Sequence, residues 1–167
     1  NVPDARKDCF GYLSSRENYY KTRELLSDVK LSFVTAGLDE LKDKIEEAKQ
    51  TGNKFALFLL DINRFKHIND GLGHKVGDMF LVEIARRLMA VDIQSDSFYR
   101  LNGDEFVYIL KDLNRLDEMT ERILSIFKES YVFLGYEFYS SASMGIAIFP
   151  EYAKNLTELL KCADSAM

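Results

Sequence analysis

The apolar positions of this chain change their period several times, and each change marks a structural element. Leu38, Leu41, Ile45 and Ala48 recur at helical spacing with charged residues between them, and Thr51-Gly52-Asn53 closes that helix. Upstream, Tyr19 to Leu31 reads as another helix with a less defined face. Phe55-Ala56-Leu57-Phe58-Leu59-Leu60 is continuous, short and bounded by turn residues, which fits a strand buried on both faces. It stops abruptly at Asp61-Ile62-Asn63-Arg64-Phe65-Lys66, and Asn69-Asp70-Gly71-Leu72-Gly73 is rich in turn formers, so the whole stretch reads as a loop. Val76, Phe80, Ile84 and Leu88 mark an amphipathic helix. Phe98-Tyr99-Arg100-Leu101 and Phe106-Val107-Tyr108-Ile109-Leu110 flank Asn102-Gly103, the strongest short-range signal for a tight hairpin. Leu116, Met119, Ile123 and Phe127 predict a further helix, and Phe138 to Phe149 a strand ending at Pro150. Asn155 with Glu158 resembles a capping box opening a last helix, with Leu156, Leu159, Leu160 and Ala163 inward.

The order helix, strand, helix, strand, strand, helix, strand, helix predicts an α/β (α+β) fold: a sheet with helices packed on it and a central antiparallel hairpin. With 167 residues the chain fits one domain plus a flanking segment. Residues 1–53 read as a helical lead-in with an atypical N-terminal segment, and 54–167 as the domain proper. A net charge of −5 argues against a broad surface for a nucleic-acid polymer or an anionic membrane. No apolar run approaches the roughly 20 residues of a membrane span, and the N-terminus lacks the layout of a secretion signal. Cys9 and Cys162 stand far apart without metal-ligand spacing and read as reduced cytoplasmic thiols. Ala166-Met167 falls inside a helical pattern, as in a piece of a longer protein cut within a helix.

Candidate chemistry gathers at two places. Asp104 and Glu105 put two adjacent carboxylates at the hairpin tip, where mutual repulsion and desolvation are costly unless a cation sits between them; a divalent metal is the usual answer. A solvated acidic turn is the plainer reading of the same residues. Asp61 sits where a buried strand ends, a usual place for functional groups in mixed sheets. The stretch after it can offer backbone amides to phosphates, with Lys66 nearby. Asp61-x-Asn63 lacks the glycine and glutamate of a calcium loop, and Gly71-x-Gly73 with Gly77 lacks the spacing of a dinucleotide fingerprint. His67 and His74 are the only histidines, and capping or solvated roles suit them better than a metal pair.

Together these pieces resemble a GGDEF domain, the family of diguanylate cyclases. The resemblance runs through Leu59 to Asp70, Leu72 to Asp78, Arg100-Leu101-Asn102-Gly103-Asp104-Glu105-Phe106, Ser143-Met144-Gly145-Ile146-Ala147 with Pro150, and Ala163-Asp164-Ser165-Ala166-Met167. It implies a palm-like, nucleotidyl-cyclase or ferredoxin-like sheet that condenses two GTP molecules into the second messenger cyclic di-GMP, a nucleotidyltransferase reaction. It also implies Mg²⁺ (or Mn²⁺) and a homodimer in which two domains face each other with one GTP each. Asp61 and Asp104 would bind the metal through carboxylate oxygen, helped by the Ile62 carbonyl. Glu105 would be a further acid at the metal and near the attacking 3′-hydroxyl. Asn69 and Asp78 would read the guanine edge. The backbone around Phe65 and Lys66 would cradle the terminal phosphates, and Asn102 and Gly103 would border the nucleotide.

The chain departs from the family pattern in several places. The first glycine of the family motif is Asn102, a residue that still tolerates positive φ but projects a side chain toward the nucleotide. The arginine of the inhibitory product site is missing from Ile93-Gln94-Ser95-Asp96, so no feedback inhibition is expected there. The leading signature is blurred in Asp8-Cys9-Phe10-Gly11-Tyr12-Leu13-Ser14-Ser15-Arg16. Leu72-Gly73-His74 and Ala163 to Met167 resemble the versions joined to an EAL phosphodiesterase domain, which implies fused sensor and EAL domains. Two readings stand: an active diguanylate cyclase, or a catalytically degenerate GTP-binding domain that regulates a fused EAL phosphodiesterase.

Overall fold

The computed structural model of the chain describes residues 38–92 and 98–167. The Tyr19 to Leu31 helix, the Asp8 to Arg16 signature, Cys9 and the Ile93 to Asp96 stretch lie outside the described residues. The elements run α1 (38–51), β1 (Phe55–Ile62), α2 (Phe65–Leu72), α3 (His74–Val91), β2 (Phe98–Asn102), β3 (Glu105–Leu110), a 3-10 turn at Leu113–Arg115, α4 (Leu116–Ser125), β4 (Tyr131–Phe133), β5 (Tyr136–Phe138), β6 (Ala142–Phe149) and α5 (Leu156–Ser165).

Strand β1 is the spine. All six residues from Phe55 to Leu60 are buried, as a continuous apolar run requires. Antiparallel partners flank it, β3 on one side and β6 on the other, and the main sheet has the order β2-β3-β1-β6. Alternation along β1 then divides the core in two. Ala56, Phe58, Leu60 and Ile62 join Phe80, Ile84 and Leu88 of α3 and Met119 and Ile123 of α4. Phe55, Leu57 and Leu59 join Leu41 and Ile45 of α1 and Leu159 and Ala163 of α5. Each such side chain contributes about 1.5–3 kcal/mol by leaving water, so the sheet is held between two helical layers. Leu38, read as part of the inward face of α1, is instead exposed. Among the described residues no helix is long and apolar enough to cross a membrane.

The stretch read as a loop after Asp61 is a helix. Phe65, Ile68 and Leu72 fall on one side of α2 and pack against the α3–α4 core, which outweighs the turn preference of Asn69-Asp70-Gly71. Arg64, at φ 58, starts α2, and Gly73, at φ 87, joins it to α3. The predicted strand from Phe138 to Phe149 is also broken. Its first residue ends the β4–β5 hairpin, and β6 begins at Ala142. The hairpin turns on Leu134 (φ 52) and Gly135 (φ 83), both left-handed as two-residue turns require. Phe127 lies beyond the end of α4 yet still packs on the core. The cap on α5 forms as expected: Asn155 accepts from the Glu158 amide at 2.9 Å, while the Glu158 carboxylate accepts from the Lys154 amide at 2.8 Å.

Helix α5 lies against β6 at closest approach over Gly145. A Cβ there would stand 1.8 Å from the Ala163 carbonyl oxygen. This contact sets α5 beside the strand end that carries the site.

Candidate active site

Register brings the acids together. Asp61 lies directly opposite Glu105 on β3 and opposite Ser143 on β6. Opposed residues share a face of the sheet, so Glu105, Asp61 and Ser143 form a row on the side of α1 and α5. One residue on, the Ile62 amide donates to the Asp104 carbonyl at 3.2 Å and stitches the hairpin turn to the end of β1. That turn is Gly103-Asp104 rather than Asn102-Gly103, because Asn102 completes β2 and pairs with Glu105. Asn63 extends the strap on the β6 side. Its amide nitrogen donates to the Ser141 carbonyl at 2.9 Å, its Nδ2 donates to the Ser141 hydroxyl at 2.9 Å, and its Oδ1 accepts from the Ser143 hydroxyl at 2.9 Å.

The acids press on one point. Burial raises the Asp61 carboxyl above the ordinary aspartate range, and the charges of Asp104, Glu105 and Asp164 raise it further. Asp164, on the last turn of α5, is the acid that residue-level reading passed over. Only its place in the Ala163 to Met167 motif could have flagged it. Among the described residues no three His, Cys, Asp or Glu side chains are gathered closely enough to enclose a metal by themselves. Hard carboxylate and carbonyl oxygens at a strand exit nevertheless suit a Mg²⁺-type ion, which takes one or two carboxylates and completes its shell with phosphate and water. An ion there would relieve the repulsion that raises Asp61.

The other expected residues gather on the opposite face. Asn69 of α2 lies against α3 so closely that a Cβ on Gly77 would stand 1.8 Å from the Asn69 Oδ1. Asp78 follows Gly77 directly on α3. Phe65 stacks on Phe80 with ring centroids 6.4 Å apart, which anchors the start of α2. Lys66 is exposed beside that start. Gly103 is exposed, and a Cβ built on it meets nothing within 4 Å. His67 on α2 and His74 at the start of α3 are both exposed and belong to no metal-ligating group among the described residues.

A four-stranded antiparallel sheet between helical layers, with acidic residues at the end of its central strand, defines the palm-like nucleotidyl-cyclase class of fold. Within that class the chain belongs to the GGDEF family: the profile described as diguanylate cyclase, GGDEF domain, matches residues 35–167, helix α1 included. It is 35% identical over 131 residues to the bifunctional diguanylate cyclase/cyclic di-GMP phosphodiesterase MucR of Pseudomonas aeruginosa, covering 77% of this chain and 19% of that protein. It is 34% identical over 126 residues to the cyclic di-GMP phosphodiesterase NbdA of the same organism, covering 74% of this chain and 16% of that protein. Among solved structures, the GGDEF domain of TpbB from Pseudomonas aeruginosa superposes with a TM-score of 0.69 at 32% identity, covering 77% of each chain. The chain thus spans less than a third of the length of these curated relatives.

Proposed function

We propose that this domain is a diguanylate cyclase that condenses two GTP molecules into cyclic di-GMP with release of pyrophosphate. The observation that carries the reading is the register of β1 against β3. It opposes Asp61 to Glu105 and bonds Ile62 to Asp104, so acids distant in sequence act on one point. Asp61 and Asp104, with the Ile62 carbonyl, would hold Mg²⁺ or Mn²⁺. Bound there, the ion would neutralise charge on the α-phosphate and would lower the pKa of the attacking 3′-hydroxyl. Glu105, beside Asp61 in the same row, would stand next to that hydroxyl. The first amides of α2, after the left-handed Arg64, would receive the terminal phosphates with Lys66 alongside. An aspartate can accept the N1 and N2 protons of guanine together, and an amide can serve O6 or N3, which suits Asp78 and Asn69.

In each transfer the 3′-oxygen forms a bond to the α-phosphorus and the bond to the bridging oxygen of the pyrophosphate breaks. Two transfers close the ring. Each domain supplies one GTP, so two copies must face each other, and the reaction belongs in the cytoplasm, where GTP is available. Fused sensor and EAL domains would complete the full protein.

A second reading has specific support. Asn102 stands where the family has its first glycine, and NbdA and MucR are both named for phosphodiesterase activity. On that reading the domain binds GTP and regulates an attached EAL phosphodiesterase. Full-length protein incubated with GTP and Mg²⁺ separates the two. Cyclic di-GMP and pyrophosphate that disappear in Asp104→Ala support the cyclase. Saturable GTP binding without product supports the regulatory domain, and no binding at all removes both.

A further inference from the structure

The exit of β1 is held from both sides of the sheet. The strand ends at Ile62, the residue proposed to lend its carbonyl to the ion, and the chain soon turns away through the left-handed Arg64. Asn63 carries the hold one residue further. Its backbone N–H donates to the Ser141 carbonyl at 2.9 Å, toward β6. Its side chain repeats the link twice: Nδ2 donates to the Ser141 hydroxyl and Oδ1 accepts from the Ser143 hydroxyl, each at 2.9 Å. A trans peptide is planar, so its N–H and C=O point opposite ways. The Asn63 N–H and the Ile62 C=O belong to one such group. With that N–H fixed toward β6, the Ile62 carbonyl is turned to the β3 side. The Ile62 N–H points the same way and donates to the Asp104 carbonyl at 3.2 Å. The Ile62 oxygen therefore faces the edge on which the Gly103-Asp104 turn stands.

We infer that Asn63, anchored by Ser141 and Ser143, is a positioning residue that aims the Ile62 carbonyl at the metal. The inference rests on the proposed metal site and names what orients one of its donors. An asparagine suits the place because its amide donates and accepts at once, and here it does both across to β6. Ser143 also lies opposite Asp61 in the ladder, so the hydroxyl that holds Asn63 belongs to the residue paired with a second donor. Removing the partners that orient metal donors typically costs about 10–100-fold in metal affinity. A strap that only closed the end of the sheet would change stability, with no preference for the metal-bound state.

The test measures calorimetric binding of 3′-deoxy-GTP, which lacks the attacking hydroxyl, to the full-length protein, once in Mg²⁺ and once in EDTA. Wild type, Asn63→Ala, Ser143→Ala and Ser143→Thr are compared, with thermal melts checking that each folds. Wild type should bind more tightly in Mg²⁺ than in EDTA. Asn63→Ala should remove most of that gain, and Ser143→Ala should lower it about threefold, the scale of one hydrogen bond. Affinity in EDTA should stay at the wild-type value in both. Ser143→Thr keeps the hydroxyl and should restore the gain. An unchanged gain in Asn63→Ala overturns the inference. Equal losses in Mg²⁺ and EDTA overturn it as well, since they would mark a general disturbance of the nucleotide site. Should Asn63→Ala fail to fold, an unchanged gain in Ser143→Ala does the same, as does a loss in Ser143→Thr as large as in Ser143→Ala. A wild type that gains nothing from Mg²⁺ instead defeats the underlying reading of the metal site, and the inference falls with it.

Discussion

Asp61 is an aspartate whose ionised form is disfavoured by the fold around it. Its pKa is raised first by burial and then by Asp104, Glu105 and Asp164. A carboxyl with a raised folded pKa contributes stability that is complete below the ordinary aspartate range and is lost as pH rises through the folded value. At neutral pH the ionised side chain therefore works against folding. Asp61→Asn should raise the melting temperature at pH 7 without metal or nucleotide, and this advantage should vanish in acid. Thermal melts from acid to neutral pH check it; a lower melting temperature at pH 7 would mean that Asp61 is held for structure. The same substitution should abolish cyclic di-GMP formation, so stability and activity move in opposite directions, as expected of a functional group. Adding Mg²⁺ with GTP should stabilise wild type more than Asp61→Asn. That Asp61 ends a buried strand was legible in the residues alone. That Asp164 joins it was not, because only the contact of α5 over Gly145 brings that helix alongside.

Two element-level features carry predictions. Gly77 lies inside α3, where alanine is the better helix former by about 1 kcal/mol. A Cβ there would nevertheless strike the Asn69 side chain. Gly77→Ala should change stability little, because the propensity gain offsets the clash, yet weaken GTP binding about tenfold through displacement of Asn69. Urea denaturation and calorimetry measure the two separately. Arg87 ties α3 to the far end of α4. It donates to the Ile126 carbonyl at 2.9 Å and the Ser130 carbonyl at 3.1 Å, stacks 4.0 Å over Tyr131, and pairs with Glu83 at 2.8 Å. Arg87→Ala should cost about 2–3 kcal/mol in urea, since charged hydrogen bonds and a cation–π contact are lost together. Tyr131 should then be the side chain whose environment changes most. Periodicity found α3, α4 and α5 because their apolar faces are long. It missed α2, where Phe65, Ile68 and Leu72 are the whole helical signal and Asn69, Asp70 and Gly71 argue locally for a turn. It also missed β4–β5, whose turn places Leu134 in a left-handed position that leucine seldom signals.

At the scale of the molecule, the proposed chemistry needs two domains, because one site holds one GTP and the product contains two. Specific activity should rise with protein concentration before reaching a plateau, and inactive Asp104→Ala protein added in excess should suppress wild type by forming mixed pairs. A specific activity independent of concentration over a hundredfold range would argue against the paired arrangement.

Local pattern was enough for a strand buried on both faces, a hairpin bearing two acids, most of the helices, and motifs in family order. Each of these depends on neighbours within one or two turns of chain. The pairing of Asp61 with Glu105 and Ser143, the approach of Asp164, and the reach of Arg100 to the Gly103 carbonyl were decided by the tertiary structure. Register between strands and the seating of a helix on a sheet are set by the fit of the whole core, and shifting a strand by one residue would turn these side chains to the other face.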